Sequence, residues 1–178
     1  MSRYVALFSS MNVGSNRLTM AELRHALERE DFDDVETVVA SGNVLFEHEE
    51  RPSDGLAEKL AYIVSERFEF SSMVAVRSRD EIAAAIADNP FGADGQENLV
   101  HTLFLEHQPD PADFERMRED YAERGPERLA LGDRAIYIDY VDGVGQSKLT
   151  NAFMERRLGC RGTARNLRSL ARILEKMD

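Results

Sequence analysis

The sequence predicts an α+β protein made of two similarly ordered parts. We expect a ferredoxin-like βαββαβ subdomain at residues 1–77 and a second α+β subdomain with C-terminal helices at residues 78–178, packed together as one unit. Three observations predict this arrangement. Short apolar runs alternate with amphipathic segments, the first part reads strand, helix, strand, strand, helix, strand, and the second part approximately repeats that order. A chain of 178 residues with 43% hydrophobic side chains is long and apolar enough to fold around a core.

The first part is bounded by capping and turn signals. Thr19 and Glu22 form a capping box, and Ser41-Gly42 indicates a hairpin turn. The predicted elements, in order, are a strand from Tyr4, a helix opened by Thr19, strands at 35–40 and 44–46, a helix with Leu56, Leu60, Ile63 and Val64, and a strand at 73–76. This order is that of a split βαβ unit.

The second part opens with a connecting helix that Ser78 and Glu81 cap and that Asn89-Pro90 stops. Further elements are a strand at 99–105, a helix opened by Asp110-Pro111, a hairpin around Gly132-Asp133, a helix at 148–158, a strand at 160–164 and an amphipathic helix from Leu167 to Leu174. No sequence self-similarity accompanies this approximate repetition of the first part.

Charge and composition exclude several classes of protein. A net charge of −11 argues against binding of nucleic acid or acidic membranes by the whole surface. No apolar run is long enough to span a bilayer and no secretory leader is recognisable, so we expect a cytoplasmic location and no membrane partner. Cys160 is the only cysteine, which excludes an internal disulfide and favours a core position. The scattered histidines match no zinc spacing. We predict no metal and no cofactor.

The strongest local feature is the Gly-Ser-Lys loop, residues 142–151, with the sequence DGVGQSKLTN. Glycines allow an anion to approach the backbone, and the start of the following helix presents free N–H groups. The candidate ligand-binding residues here are Gly143, Gly145, Ser147, Lys148 and Asn151. The spacing is not that of a P-loop. An alternative is that Asp142-Gly143 is only a turn and Ser147 only caps the helix.

A basic segment follows this loop. Residues 147–178 carry a net charge of +5, whereas residues 1–146 carry −16. Six arginines lie within 17 residues without an acid among them: Arg156, Arg157, Arg161, Arg165, Arg168 and Arg172. If the segment were helical, the last four would line one side. Arg165 and Asn166 are candidate ligand-binding residues. The alternatives are that the arginines pair internally with acidic residues, and that Asn166 caps the last helix.

Three further candidates lie in the first part. Asn12 and Gly14 belong to the loop MNVGSN, which joins the first strand to the first helix, and Asn43 follows Ser41-Gly42. Asparagine side chains at such positions bind ligands or simply stabilise turns. Turn chemistry alone favours the second role.

Seven motifs occur along the chain: MNVG at 11–14, the helix MAELRHALE, SGNVLFE at 41–47, NPF at 89–91, HTLFLE from His101, GxGxSKLTNAF at 143–153 and TARN at 163–166. Taken together, these motifs resemble the domain of unknown function 1697 family of small, mostly bacterial proteins, over essentially the whole chain. The resemblance implies an α+β fold with a ferredoxin-like part and polar motifs on loops, and it implies no activity. Ser9-Ser10 replaces the family's usual Arg-Gly, and Leu167 replaces an aromatic residue.

Three functions are compatible with these residues. The first is binding of, or action on, a phosphate-bearing small molecule or nucleotide at the Gly-Ser-Lys loop and Arg165. The second is a nucleic-acid or acidic-protein binding module that uses the arginines. The third is a structural role in which the charges pair internally. The sequence indicates neither catalytic residues nor an oligomeric state.

Overall fold

Eight strands and six helices form in residues 1–9, 19–68 and 73–178, which are the parts of the chain that the computed structural model describes. The strands make two four-stranded antiparallel sheets, which confirms the predicted α+β class. The residues fall into two compact units. The first unit is Met1–Ile82 with Arg172–Asp178, and the second unit is Ala83–Ala171.

The first sheet has the strand order β2-β3-β1-β4. Its strands and the neighbouring helices are β1 (Ser2–Phe8), α1 (Met20–Glu28), β2 (Asp33–Val38), β3 (Ala40–His48), α2 (Ser53–Phe68), β4 (Val74–Ser78) and α3 (Arg79–Ala87). Alternate residues of a strand share one face, so Tyr4, Ala6 and Phe8 of β1 enter the same core as Leu23 and Leu60 of the helices. The helical spacing of leucines in α1 and α2 supplies the other side of that core.

The second sheet has the order β6-β7-β5-β8. The elements are β5 (Val100–Leu105), α4 (Pro111–Tyr121), β6 (Arg128–Gly132), β7 (Ala135–Asp139), α5 (Asn151–Leu158), β8 (Gly162–Asn166) and α6 (Leu167–Met177). Leu103 and Ile136 of the sheet pack with Phe114 and Met154 of the helices. Asp110 caps α4 as predicted, since its side chain accepts from the Ala112 N–H at 2.8 Å. No helix in the described parts of the chain is long and apolar enough to cross a membrane.

The first hairpin turns at a different place from the one predicted. β2 ends at Val38 and β3 begins at Ala40, so the turn is at Val39, whose φ is 65°. Residues 41–43, which were expected to form the turn, lie within β3. Asn43 is paired in register with Leu7 of β1. Pairing with two neighbouring strands outweighs the local turn preference of Gly and Asn.

The basic segment also differs from the prediction. α5 begins at Asn151 rather than at residue 148 and ends at Leu158 as predicted, followed by the C-cap Gly159 with a φ of 74°. β8 spans 162–166 instead of 160–164, because it pairs along β5. Arg161 and Arg165 are therefore not helical, so the condition under which four arginines would line one side of a helix is not met.

The two units share an arginine contact at the end of their last strand, although their sequences show no self-similarity. In β4, Arg77 donates from Nη1 to the carbonyl of Val76 at 2.9 Å, and in β8 Arg165 donates in the same way to Ala164 at 2.8 Å. The next residue in each case, Ser78 or Asn166, accepts a backbone N–H of the helix that follows. In both units, therefore, the last strand of the sheet ends with an arginine and a residue that caps the following helix.

Candidate functional site

The Gly-Ser-Lys loop leaves β7 through two residues with positive φ, Val141 at 58° and Gly143 at 104°. The Val141 N–H donates to Oδ1 of Asp139 at 3.0 Å, which holds this conformation. A side chain at Gly143 or Gly145 would meet no atom within 4 Å. The backbone of the loop is therefore open to a ligand at both glycines.

The hydroxyl of Ser147 points to a carboxylate. Its Oγ donates to Oε1 of Glu127 at 2.6 Å and accepts from the Leu149 N–H at 3.0 Å. The cap of α5 is Thr150, whose side chain accepts from the Phe153 N–H. The alternative that Ser147 caps this helix is therefore wrong.

Glu127 joins the loop to α4. Its Oε2 accepts from the hydroxyl of Tyr121 at 2.8 Å, while Oε1 accepts from Ser147. Burial raises the pKa of Glu127, but hydrogen bonds from Ser147, from its own backbone N–H and from Tyr121 lower it, and the net result is a pKa below 4.5. Burial and the neighbouring carboxylate raise the pKa of Tyr121. Glu127 is therefore ionised at neutral pH.

A cleft of about 360 Å³ lies next to this carboxylate. Tyr121, Glu127 and Arg128 contribute polar groups to its wall, and Phe91 and Leu129 contribute apolar surface. The volume is within the range of small-molecule sites. Because Glu127 lines the cleft and contacts Ser147, the Gly-Ser-Lys loop and the cleft belong to one region of the second unit.

Arg128 supports the same region. It donates to Oδ2 of Asp139 at 2.5 Å and to Asp94 at 3.1 Å, and its guanidinium lies 4.7 Å from the centre of the Phe91 ring. Hydrogen bonds to Asp94 and Asp139 raise the pKa of Arg128, and the same contact lowers the pKa of Asp94. Arg128 is thus hydrogen-bonded to two carboxylates. One of them, Asp139, also accepts the Val141 N–H at the start of the loop.

Lys148 differs from Arg157, Arg161 and Arg168, which pair with acids. Its side chain is exposed and makes no hydrogen bond or ion pair within the described parts of the chain. Asn151, the first residue of α5, is also exposed. The five candidate residues of the loop thus lie together, with a free ammonium group beside an accessible backbone.

The arginines after the loop are largely paired with acids. Arg157 pairs with Asp120, Arg161 with Glu106 at 2.6 Å, and Arg168 with Glu97 at 3.2 Å. Arg156 donates to the carbonyl of Ala152 within α5. The alternative of internal pairing is confirmed for these three arginines, and their charges are not available as an open basic face.

Arg165 and Asn166 have local roles in β8 and α6. Burial lowers the pKa of Arg165 to about 10, so it is still charged at neutral pH. Its Nη1 donates to Oγ1 of Thr163 at 2.8 Å. Thr102 is its register partner on β5, and the buried Thr102 hydroxyl has no hydrogen-bond partner in the described residues. Asn166 accepts from the Ser169 N–H at 2.8 Å, which confirms the alternative that it caps the last helix.

Of the three candidates in the first part, the structure describes only Asn43. Asn43 is buried in β3 of the first unit. Asn12 and Gly14 lie outside the described residues. Cys160 is buried as predicted, and burial raises the pKa of its thiol.

Sequence reasoning missed Tyr121 and Glu127. By helical spacing Tyr121 shares one face of α4 with Phe114 and Met117, which predicts only a core position, and Glu127 is one of 33 acidic residues with no motif around it. A signal existed in principle, since Gly125-Pro126 favours a turn after α4, and Glu127 follows it as the last residue before β6. Nothing in the sequence connects this position to Ser147.

Comparisons with known proteins agree with this fold. None of the curated proteins compared matches the chain. A solved structure of a conserved bacterial protein, SP0830 from Streptococcus pneumoniae, is 23% identical with a TM-score of 0.73, and the alignment covers 99% of this chain and 98% of that one. A family model described as "Protein of unknown function (DUF1697)" matches residues 1–137, which end before the Gly-Ser-Lys loop. Because that match spans more than half of the chain, the protein belongs to the DUF1697 family of proteins of unknown function.

Proposed function

We propose that this protein binds a phosphate-bearing small molecule or nucleotide in its second unit, with the phosphate at the Gly-Ser-Lys loop. The observation that carries the proposal is Lys148, an exposed ammonium group without a partner in the described residues. Its neighbours Gly143 and Gly145 leave the backbone unobstructed. A lysine beside open backbone N–H groups is a common arrangement for binding phosphate.

The geometry changes the role that the sequence assigned to Ser147. A hydroxyl that donates to Glu127 at 2.6 Å is not a donor for a phosphate oxygen. A carboxylate so close would also repel a phosphate placed on that hydroxyl. The phosphate is therefore expected at Lys148 and the N–H groups of residues 143–146 and 151–152, and Ser147 positions Glu127 instead.

The paired arginines favour a structural role for the basic segment itself. Arg157, Arg161 and Arg168 each contact an acid of the same unit. We therefore keep the structural function as the second candidate. A nucleic-acid or acidic-protein module has less support, because these ion pairs would have to break before the arginines could contact phosphates or acidic side chains.

The test compares binding of phosphate esters with binding of the same molecules without phosphate. Isothermal titration calorimetry with AMP, adenosine and inorganic phosphate would be performed on the wild type, Lys148→Gln and Lys176→Gln. Lys176 is the matched control, because it is also an exposed lysine. Loss of one charge-assisted contact predicts about a 10- to 100-fold weaker affinity for AMP in Lys148→Gln only. Equal affinity for AMP and adenosine would contradict the proposal.

We further propose that each unit has the ferredoxin-like arrangement and that the protein works in the cytoplasm. Support for the first comes from the identical strand orders β2-β3-β1-β4 and β6-β7-β5-β8, each with two helices inserted as in βαββαβ.

A further inference from the structure

Two apolar side chains at the Gly-Ser-Lys loop are exposed. Val141, just before the loop, is 38% exposed, and Val144 within it is 49% exposed. In the described parts of the chain, the other exposed large apolar side chains are Met1 and Tyr62, and both belong to the first unit. The exposed large apolar side chains of the second unit are therefore confined to this loop, three positions apart. Isolated exposed apolar residues need no explanation, whereas neighbouring ones rimmed by polar groups are typical of a contact surface.

Val141 is also held in a strained conformation. Its φ is 58°, and the N–H of Asp142 donates to the carbonyl of Tyr140 at 2.5 Å. Such a γ-turn with a positive φ at its central residue is rare and strained, and a β-branched side chain adds to the strain. The bond from the Val141 N–H to the buried carboxylate of Asp139 fixes this arrangement. Strain of this kind is concentrated at binding sites. Because Val141 gives the fold neither a favourable backbone nor a buried side chain, we look for its role in a ligand contact.

The charges of the loop give this surface a direction. The N–H of Ser147 donates to the carbonyl of Val144 at 3.1 Å, which closes a turn whose ends lie within about 7 Å of each other. Lys148 follows that turn directly, and its ammonium group is exposed. At the other end of the loop, the exposed carboxylate of Asp142 is next to Val141 and repels an anion. An anionic group is therefore expected at the Lys148 end and an uncharged, apolar group at the valines.

We infer that the ligand is a phosphate monoester whose organic part is an apolar chain, such as an alkyl or isoprenoid group. Val141 and Val144 contact the chain, and Lys148 binds the phosphate. The inference rests on the proposed function for the position of the phosphate, and it narrows the class of ligand, because the ribose next to the phosphate of a nucleotide is polar. The ligand is a free molecule rather than a lipid in a bilayer, since a net charge of −11 disfavours approach to an acidic membrane.

The experiment measures the affinities of inorganic, ethyl, butyl and hexyl phosphate by NMR titration. Half-burial of one methylene group corresponds to about a twofold gain in affinity, so hexyl phosphate should bind wild type on the order of 10-fold more tightly than ethyl phosphate. The double variant Val141→Thr/Val144→Thr keeps β-branching at both positions and replaces two methyl groups by hydroxyls. We expect it to reduce the gain to about twofold or less. Its affinity for inorganic phosphate should equal that of wild type, which also shows that it is folded.

Tyr62→Gln is the control, because Tyr62 is an exposed apolar side chain of the first unit and should not affect the gain. The inference is overturned if ethyl and hexyl phosphate bind wild type equally, or if the double variant keeps the full gain. Sedimentation of the protein with vesicles of phosphatidylcholine and phosphatidic acid, without binding of hexyl phosphate, would also overturn it. Failure of the proposed function looks different. In that case hexanol binds as tightly as hexyl phosphate, and Lys148→Gln changes neither affinity.

Discussion

Ser147 and Glu127 are separated by 20 positions in the sequence, yet their side-chain oxygens lie 2.6 Å apart. This bond joins the Gly-Ser-Lys loop to the turn between α4 and β6. It also gives the serine of the loop a different role from the one its neighbours predict, because the hydroxyl positions a carboxylate rather than a phosphate.

Removal of this bond should have a pH-dependent effect on stability. Glu127 has a folded-state pKa below its ordinary value of 4.5. Such a carboxyl stabilises the fold above the unfolded-state pKa, and this contribution is lost as the pH falls through the folded-state pKa. Ser147→Ala should lower the free energy of unfolding by about 1 to 2 kcal/mol at pH 7, and by less at pH 3.

Urea denaturation at both pH values measures this difference. Ser65→Ala is the control, because the Ser65 hydroxyl donates to the carbonyl of Tyr62 and to no carboxylate. Its effect should be the same at pH 7 and pH 3. An equally large effect of Ser147→Ala at the two pH values would show that Glu127 does not depend on this hydroxyl.

Val141 should be under backbone strain. A β-branched residue with a φ of 58° is unfavourable, whereas asparagine tolerates the left-handed region. Val141→Asn should therefore raise the free energy of unfolding by about 1 kcal/mol. Val144→Asn is the matched control, since Val144 is an exposed valine of the same loop outside the positive-φ region. Equal changes in chemical denaturation for the two variants would refute strain at Val141.

The buried carboxylate of Asp139 should matter more for stability than that of Asp94, although both contact Arg128. The Asp139 side chain is 7% exposed and the Asp94 side chain is 66% exposed. Asp139→Asn should lower the free energy of unfolding by about 1 to 3 kcal/mol, because a buried charged hydrogen bond is lost. Asp94→Asn should behave as a surface substitution. Thermal unfolding of both variants checks the order, and the reverse order would contradict it.

Gly145 should be dispensable for folding and important for the ligand. Nothing lies within 4 Å of a methyl group at this position, and its φ is not positive. Gly145→Ala should leave stability unchanged or raise it by about 0.4 to 1 kcal/mol, because the unfolded chain loses freedom. The same methyl group should keep a phosphate from the backbone and weaken AMP binding.

Gly95→Ala is the contrasting variant. A methyl group there would lie 2.7 Å from the Phe91 carbonyl oxygen and would also collide with Val100. We expect a loss of about 1 to 3 kcal/mol in the free energy of unfolding. If Gly145→Ala were equally destabilising, the loop would be packed rather than open.

Local patterns were sufficient for most elements of the fold. The Asp110-Pro111 signal placed the start of α4, and the apolar spacing of α2 placed its buried face, because both depend on neighbours within one or two helical turns. The first hairpin was misplaced for the opposite reason. Residues 41–43 lie within β3, where Asn43 pairs with the distant Leu7 of β1, and this pairing has no local signal.

The candidate site shows the same division. Gly143, Gly145 and Lys148 could be selected because a loop before a helix is a local arrangement. Glu127 and Tyr121 could not be selected. Their hydrogen bonds connect α4, the turn before β6 and the Gly-Ser-Lys loop, and contacts between separate segments produce no pattern of spacing in the sequence. For the arginines the sequence left ligand binding and internal pairing both open, because it gives their charge and not the acids they contact, such as Glu106 for Arg161.

The membership of residues 172–178 in the first unit has a consequence for synthesis. During translation the N-terminus emerges from the ribosome first, so residues 1–82 emerge long before residues 172–178 do. Ile173 and Met177 are buried, and Asp178 pairs with Arg79 at 2.7 Å. These contacts form only after residue 178 has left the ribosome. The first unit therefore begins to be translated before the second unit but cannot complete its fold until the second unit has been translated.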